Sequence, residues 1–339
     1  MRCNARWEPQ TDVEDRLALM LRLIVAVTML AATLSAALAQ SAYPARPVRL
    51  VVPTAPGGPP DFVARLIAQE LSKRWNRQVV VDTRPGAGTI IGTEIVAKAP
   101  ADGYTLLLSP GTLATNPASY KKLPYDVLRD FAPITQTHFV PNLFVIHPSV
   151  PVQSVKEFIA LAKARPGELA YASAGHGTNP HLAIELFSSM AQVRLTHVPY
   201  KGGLPGVTDL MAGRVVMMVT SAMGLVVPHV RTGRLRALAV TSSAPVKALP
   251  GIPTLAESVP GYEAVQWGAV LAPAGTPADI IERLNREIIA ILFTPEIRER
   301  MGAESAEPVG GTPEELAAYI KSETVKWAKV AKLAGIEPE

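Results

Sequence analysis

Apolar and polar positions change period repeatedly along this chain, and each change marks an element. Val48–Val52 is a short β-branched run, the pattern of a strand. Phe62, Val63, Leu66, Ile67 and Leu71 then recur at helical spacing and predict a helix with one buried face. Residues 78–82 predict a second strand, and residues 90–99 a helix stopped by Pro100 and the Asp102-Gly103 turn. Residues 104–108 form an apolar third strand, suited to a sheet buried on both faces. This β-α-β-α-β alternation predicts a parallel sheet covered by helices.

The alternation resumes further on. Strands are predicted at 142–146, 169–172, 195–198, 215–219 and 235–240, with helices at 155–165, 181–190, 207–211 and 225–231. A strand at 265–271 leads back, and amphipathic helices at 278–292 and 312–333 follow. The 31 prolines sit mostly at element boundaries, as many short elements require. The fold class is α/β, in two lobes: lobe 1 from residues 40–141 plus 266–339, with both C-terminal helices packed on it, and lobe 2 from residues 142–265. The stretch around Ser119 reads as a proline-rich loop.

The first 39 residues stand outside this pattern. Met20-Leu21-Arg22 precedes an apolar run at 23–34, and Ala37-Leu38-Ala39 supplies small residues at the cleavage spacing. That is a signal peptide starting at Met20 and cleaved after Ala39, with residues 1–19 an N-terminal extension. The run falls short of the about 20 apolar residues of a membrane span. The only cysteine is Cys3, so the exported chain relies on core burial rather than disulfides. The reading is a periplasmic, monomeric protein. The net charge of +4 is scattered and aromatics make up 6%, so no basic stripe or stacking platform for nucleic acid is visible. The mild positive charge favours small anions.

Two glycine loops carry the candidate chemistry. One reads Pro53-Thr54-Ala55-Pro56-Gly57-Gly58-Pro59-Pro60-Asp61, the other Ser173-Ala174-Gly175-His176-Gly177-Thr178-Asn179-Pro180. Each follows a strand and opens a helix, so backbone N–H groups at a positive dipole end face outward, where an anion can sit. Asp61 reads as a helix cap. Other chemistry finds little support. Gly86-Ala87-Gly88 has the wrong spacing and strand for a dinucleotide loop. Ser119-Tyr120-Lys121-Lys122 matches S-x-x-K without its K-T-G partner. The six histidines show no zinc spacing, and no activated nucleophile is visible. No metal, cofactor or catalytic residue is assigned.

Ordered blocks extend along the chain: P-x-A-P-G-G-x-x-D at 53–61, R-P-G-A-G at 84–88, D-G-Y-T-L-L at 102–107, K-K-L-P-Y-D at 121–126 and F-A-P-I at 131–134. Y-A-S-A-G-H-G-T-x-x-H-L-A-x-E-L-F at 171–187, H-V-P-Y-K-G at 197–202, L-R-A-L-A-V-T at 235–241, A-P-A-G-T-P at 272–277 and P-V-G-G-T-P-E-E at 308–315 complete them. Over these blocks the chain resembles the Bug-type substrate-binding proteins of tripartite tricarboxylate transporters. The resemblance implies a type II periplasmic-binding-protein fold hinged by two crossing strands, and capture of a small organic carboxylate between the lobes. It places one carboxylate on the loops holding Thr54, Ala55, Pro56, Gly57, Gly58 and Pro59, and Ser173, Gly175, His176, Gly177 and Thr178. The far end of the ligand then meets Ser109, Gly111, His138, Phe139, Tyr200 and Thr220. Relatives carry an acid where this chain reads Met-Met-Val-Thr-Ser at 217–221, which argues against amino-acid ligands. The implied partners are membrane permease subunits. The rival readings are an orphan ligand sensor, a secreted enzyme on the same fold, or an interaction protein without a small ligand.

Overall fold

The computed structural model describes residues 43–246 and 249–336, together with Met20. Apart from Met20, the expected signal peptide and its cleavage point lie outside the described residues.

The first sheet grows from a βαβ unit. Strands β1 (Val48–Val52), β2 (Val79–Thr83) and β3 (Thr105–Pro110) run parallel, connected by helices α1 (Pro59–Trp75) and α2 (Ile90–Ala97). Helix α1 buries Val63, Leu66, Ile67 and Leu71 and ends at Asn76 in the left-handed conformation. After α3 (Thr112–Ser119) the chain forms β4 (Phe131–Pro141). One residue later β5 (Leu143–Ile146) begins in a second sheet.

The second sheet repeats the construction. Helix α4 (Val155–Ala164) precedes β6 (Ala170–Ser173), α5 (Asn179–Ala191), β7 (Thr196–Pro199), α6 (Gly203–Met211), β8 (Met217–Thr220), α7 (Met223–Arg231) and β9 (Arg236–Val240). The chain returns to the first sheet as β10 (Val265–Pro273), followed by α8 (Ala278–Leu292), α9 (Pro295–Ala303), β11 (Glu307–Gly310) and α10 (Pro313–Leu333). The sheet orders are β11-β4-β10-β3-β1-β2 and β7-β6-β8-β5-β9.

The expectation of parallel sheets holds only within each βαβ unit. Strand β10 lies antiparallel to β3 and β4, and β5 antiparallel to β8 and β9. The returning strand of each sheet enters from the other sheet, which reverses its direction. This makes both sheets mixed. Four elements were not read from the sequence: α3, β4, α9 and β11. Pro117 lies inside α3, and prolines at 133 and 141 interrupt β4. Those prolines signal loops locally, while pairing with β10 decides the outcome for β4. Ser119 accordingly ends a helix rather than lying in a loop.

Helix α10 also departs from expectation. Its first half buries Leu316 and Ile320 among Val51, Leu107 and Leu271 of the first sheet. Its second half buries Trp327 and Val330 among Phe144 of the second sheet and Phe158 and Phe187 of the helices α4 and α5 that cover it. One helix therefore seals two cores, and the assignment of both C-terminal helices to lobe 1 is corrected for α10. No helix among the described residues is long and apolar enough to cross a membrane.

Candidate functional site

Among the described residues, six helices begin at one cavity. Gly58, Pro59 and Pro60 of α1, Thr89 just before α2, Gly111 and Thr112 of α3, Thr178, Asn179 and Pro180 of α5, Gly203 of α6, and Ala222 just before α7 all line a space of about 520 Å³. Each N-terminus carries roughly half a positive charge from aligned peptide dipoles. Among the described residues, no Asp, Glu, Lys or Arg side chain lines the cavity. His138 is the one histidine among its described lining side chains, and burial lowers its pKa from the ordinary 6.5 to about 4. The imidazole is therefore neutral, which leaves the helix dipoles as the source of any positive potential in the cavity. The walls add hydroxyls from Thr54, Thr89, Thr112, Thr115, Thr178, Thr220 and Ser221, and apolar surface from Val140, Val265, Trp267 and Trp327.

The glycine loops reach this cavity in part. Thr54, Gly58, Pro59, Gly111, Gly177, Thr178 and Thr220 line it, whereas Ala55, Pro56, Gly57, Ser109, Ser173, Gly175, His176 and Tyr200 do not. Phe139 is also outside the lining, while its neighbour His138 is inside. Several of the residues left outside build the loops. The Gly175 N–H donates to Ser173 Oγ at 3.1 Å, and the Thr178 hydroxyl to the Gly175 carbonyl at 2.7 Å. The Gly177 N–H donates to His181 Nδ1 at 3.0 Å. Tyr200 turns away and donates to Asp209 at 2.7 Å. Burial and that carboxylate push the Tyr200 hydroxyl up to about 12.

Asp61 is not the N-cap. Gly58 holds that position, with no side-chain cap. Asp61 sits in the first turn and accepts the Gly57 N–H at 2.9 Å while pairing with Arg65. Burial alone would raise its carboxyl pKa, but Arg65 and the Gly57 amide hold it below the ordinary value. Gly57's amide is thus engaged by the loop itself. Pro59 and Pro60 have no N–H, so α1 presents Gly58 as its foremost amide. Beside it, the Thr54 hydroxyl is buried without a hydrogen-bond partner. A buried hydroxyl left unpaired is costly, and this one belongs to a residue of the lining.

Two tryptophans were absent from the sequence reading. Trp267 on β10 and Trp327 on α10 both line the cavity. Their indole N–H groups converge on one buried carboxylate oxygen, Glu323 Oε2, at 3.2 and 2.8 Å. Lys326 pairs with the other oxygen. The tryptophans lie sixty residues apart, and no local pattern joins them. Next to Trp267 on β10, Gly268 pairs with His138 across the β4–β10 ladder, and any side chain there would overlap the imidazole.

Comparison with known proteins follows the same lines. The family model described as the tripartite tricarboxylate transporter family receptor matches residues 63–336. Protein BugT of Bordetella pertussis is 40% identical over 321 residues, covering 93% of this chain and 98% of that protein. The R. palustris protein Rpa4515, solved with adipate, is 39% identical with a TM-score of 0.71, covering 88% of this chain and 100% of that one. MatC from Rhodopseudomonas palustris, solved with malate, is 30% identical with a TM-score of 0.66, covering 85% and 99%.

Proposed function

The chain belongs to the tripartite tricarboxylate transporter receptor family, and on that premise we propose that it captures a small organic carboxylate outside the cytoplasm. It would deliver that ligand to the membrane subunits of a tripartite tricarboxylate-type transporter. The observation that carries this reading is the convergence of six helix N-termini on a cavity with no charged side chain among its described lining residues. Aligned N–H dipoles favour an anion, and a preformed apolar and hydroxyl wall suits a compact organic body. The adipate and malate in the two solved relatives support the class.

The anion is assigned to the Thr54 hydroxyl and the Gly58 amide, with water bridging where donors are distant, while Gly177 and Thr178, whose donors are engaged within their own loop, form the facing wall. The remaining wall, Gly111, Thr220 and the two tryptophans, would read the far end. Among the described lining residues an ammonium group would find no acid, which favours ligands other than amino acids. Those residues also offer no carboxylate pair, thiol or lysine, which favours capture over turnover. Lobe 1 is assigned to residues 40–141 and 266–339, with α10 shared, and lobe 2 to residues 142–265. Closure of the lobes about the two crossings would enclose the ligand. The protein is read as a periplasmic monomer, cleaved after Ala39.

Isothermal titration against adipate, malate, citrate and aromatic monocarboxylates tests the reading. Saturable one-to-one binding of at least one acid is expected, without chemical change to the acid. Silence across the panel would overturn it.

A further inference from the structure

Three imidazoles meet behind the second glycine loop. His176 is in the loop, His181 is in the first turn of α5, and His197 is on β7. One ring nitrogen from each lies within 4.8 Å of the other two. His181 and His197 stack with centroids 4.0 Å apart, and His176 meets both edge-on at 5.2 and 4.8 Å. The Glu185 carboxylate stands 3.9 Å from His181 Nε2. His181 Nδ1 accepts the Gly177 N–H at 3.0 Å, and His197 Nε2 lies 2.6 Å from Ser173 Oγ. Neutral imidazole is the form that ligates metals.

We propose that His176, His181 and His197 form a binding site for a late first-row divalent cation such as zinc. Imidazole donors suit zinc, copper and nickel. A tetrahedral zinc with bonds of about 2.0–2.1 Å needs donor nitrogens about 3.3 Å apart. Closing from 4.8 Å is a movement the loop can make, since His176 is exposed and sits between Gly175 and Gly177, both at positive φ. Stacked rings have parallel lone pairs, so ligation turns the half-buried His197 out of the stack. Three protein donors leave a fourth position for water, and Glu185 adds negative charge beside it.

The site is linked to the cavity through one proton. His181 now accepts the Gly177 N–H on Nδ1. A metal at Nδ1 would replace that N–H. A metal at Nε2 would move the ring proton to Nδ1, where two donors would face each other. Either way the Gly177 amide is released, and Gly177 lines the cavity.

The test is equilibrium dialysis of zinc chloride against protein purified without an affinity tag, in a non-chelating buffer near neutral pH. One zinc per chain is expected. His176→Ala, at an exposed position, should fold normally and weaken binding at least about tenfold, a loss that even outer-shell changes produce at metal sites. His197→Gln should do the same. In the ¹H–¹⁵N spectrum, the Gly177 amide should shift on saturation. Absence of stoichiometric zinc, or zinc binding unchanged by His176→Ala, would overturn the site. An unmoved Gly177 amide at saturation would remove His181 from it.

Discussion

Thr54 is a hydroxyl without a protein partner, so its removal separates binding from folding. Thr54→Val keeps the shape and deletes the donor. Hydrogen bonds to charged groups contribute about 1.5–3 kcal/mol, so adipate affinity should fall at least about tenfold by titration calorimetry. The melting temperature should stay within a degree or so, because no intramolecular bond is lost. Gly268 gives the opposite case. Gly268→Ala would drive a methyl group into the His138 ring, and overpacking of this kind costs about 1–3 kcal/mol, measurable by urea denaturation. His138 also sets a pH dependence. Its folded pKa is about 4 against an ordinary 6.5, so the unfolded chain takes up the proton first as pH falls. The contribution is complete above pH 6.5 and declines toward pH 4 at about 1.4 kcal/mol per pH unit. His181, lowered to about 3, acts in the same direction. Stability measured across that window should fall more shallowly in His138→Gln. At this scale the sequence located the glycine loops but not the use of their amides. Whether Gly57 or Gly177 faces a ligand depends on Asp61 and His181, whose rotamers no local pattern determines.

Elements were legible wherever burial imposes a period. The βαβ units appear in the sequence because β-branched runs and 3.6-residue spacing alternate there. Helix α3 and strand β4 do not, because prolines mask them and because β4 is held by partners in β10 and β11. Helix α10 was legible as a helix, helped by Thr312 and Glu315, which form a reciprocal capping box. Its two destinations were not legible, since Leu316 and Trp327 follow one hydrophobic stripe but enter different cores. Glu323 lies between them and accepts both cavity indoles. Breaking a buried ion pair by removing one partner costs about 3–5 kcal/mol. Glu323→Ala should therefore destabilise by about that amount in urea denaturation. Glu323→Gln, which retains an acceptor oxygen, should recover part of the loss and restore the tryptophan emission maximum. Equal loss in both variants would mean that charge, not indole anchoring, is the role of this residue.

At the scale of the whole molecule, the two sheets exchange chain at two places, and one hydrogen-bond network ties them. Asn142 lies between β4 and β5, Thr241 follows β9, and Ala264 precedes β10. The Asn142 N–H donates to Thr241 Oγ1 at 2.8 Å, and the Thr241 N–H to the Asn142 carbonyl at 2.9 Å. The Asn142 side-chain amide donates to the Ala264 carbonyl at 2.7 Å and to Asn179 Oδ1 at 3.1 Å. Asn179 opens α5 and lines the cavity, so the crossing and the ligand site share a residue. A sheet ladder resists rotation because its bonds move together. Here the pairing between strands gives way to side-chain bonds, which can reorient one at a time. A hinge at this point would let the lobes close while both sheets stay intact. Asn142→Leu keeps the volume and removes the bond to Asn179. Its cost in stability should be about 1–3 kcal/mol, the penalty for leaving a buried polar partner unmatched. If the network transmits closure, adipate should contract the native protein in small-angle scattering and contract Asn142→Leu less, with weaker affinity. Equal contraction at reduced stability would confine the network to holding the crossings together and place the bending elsewhere.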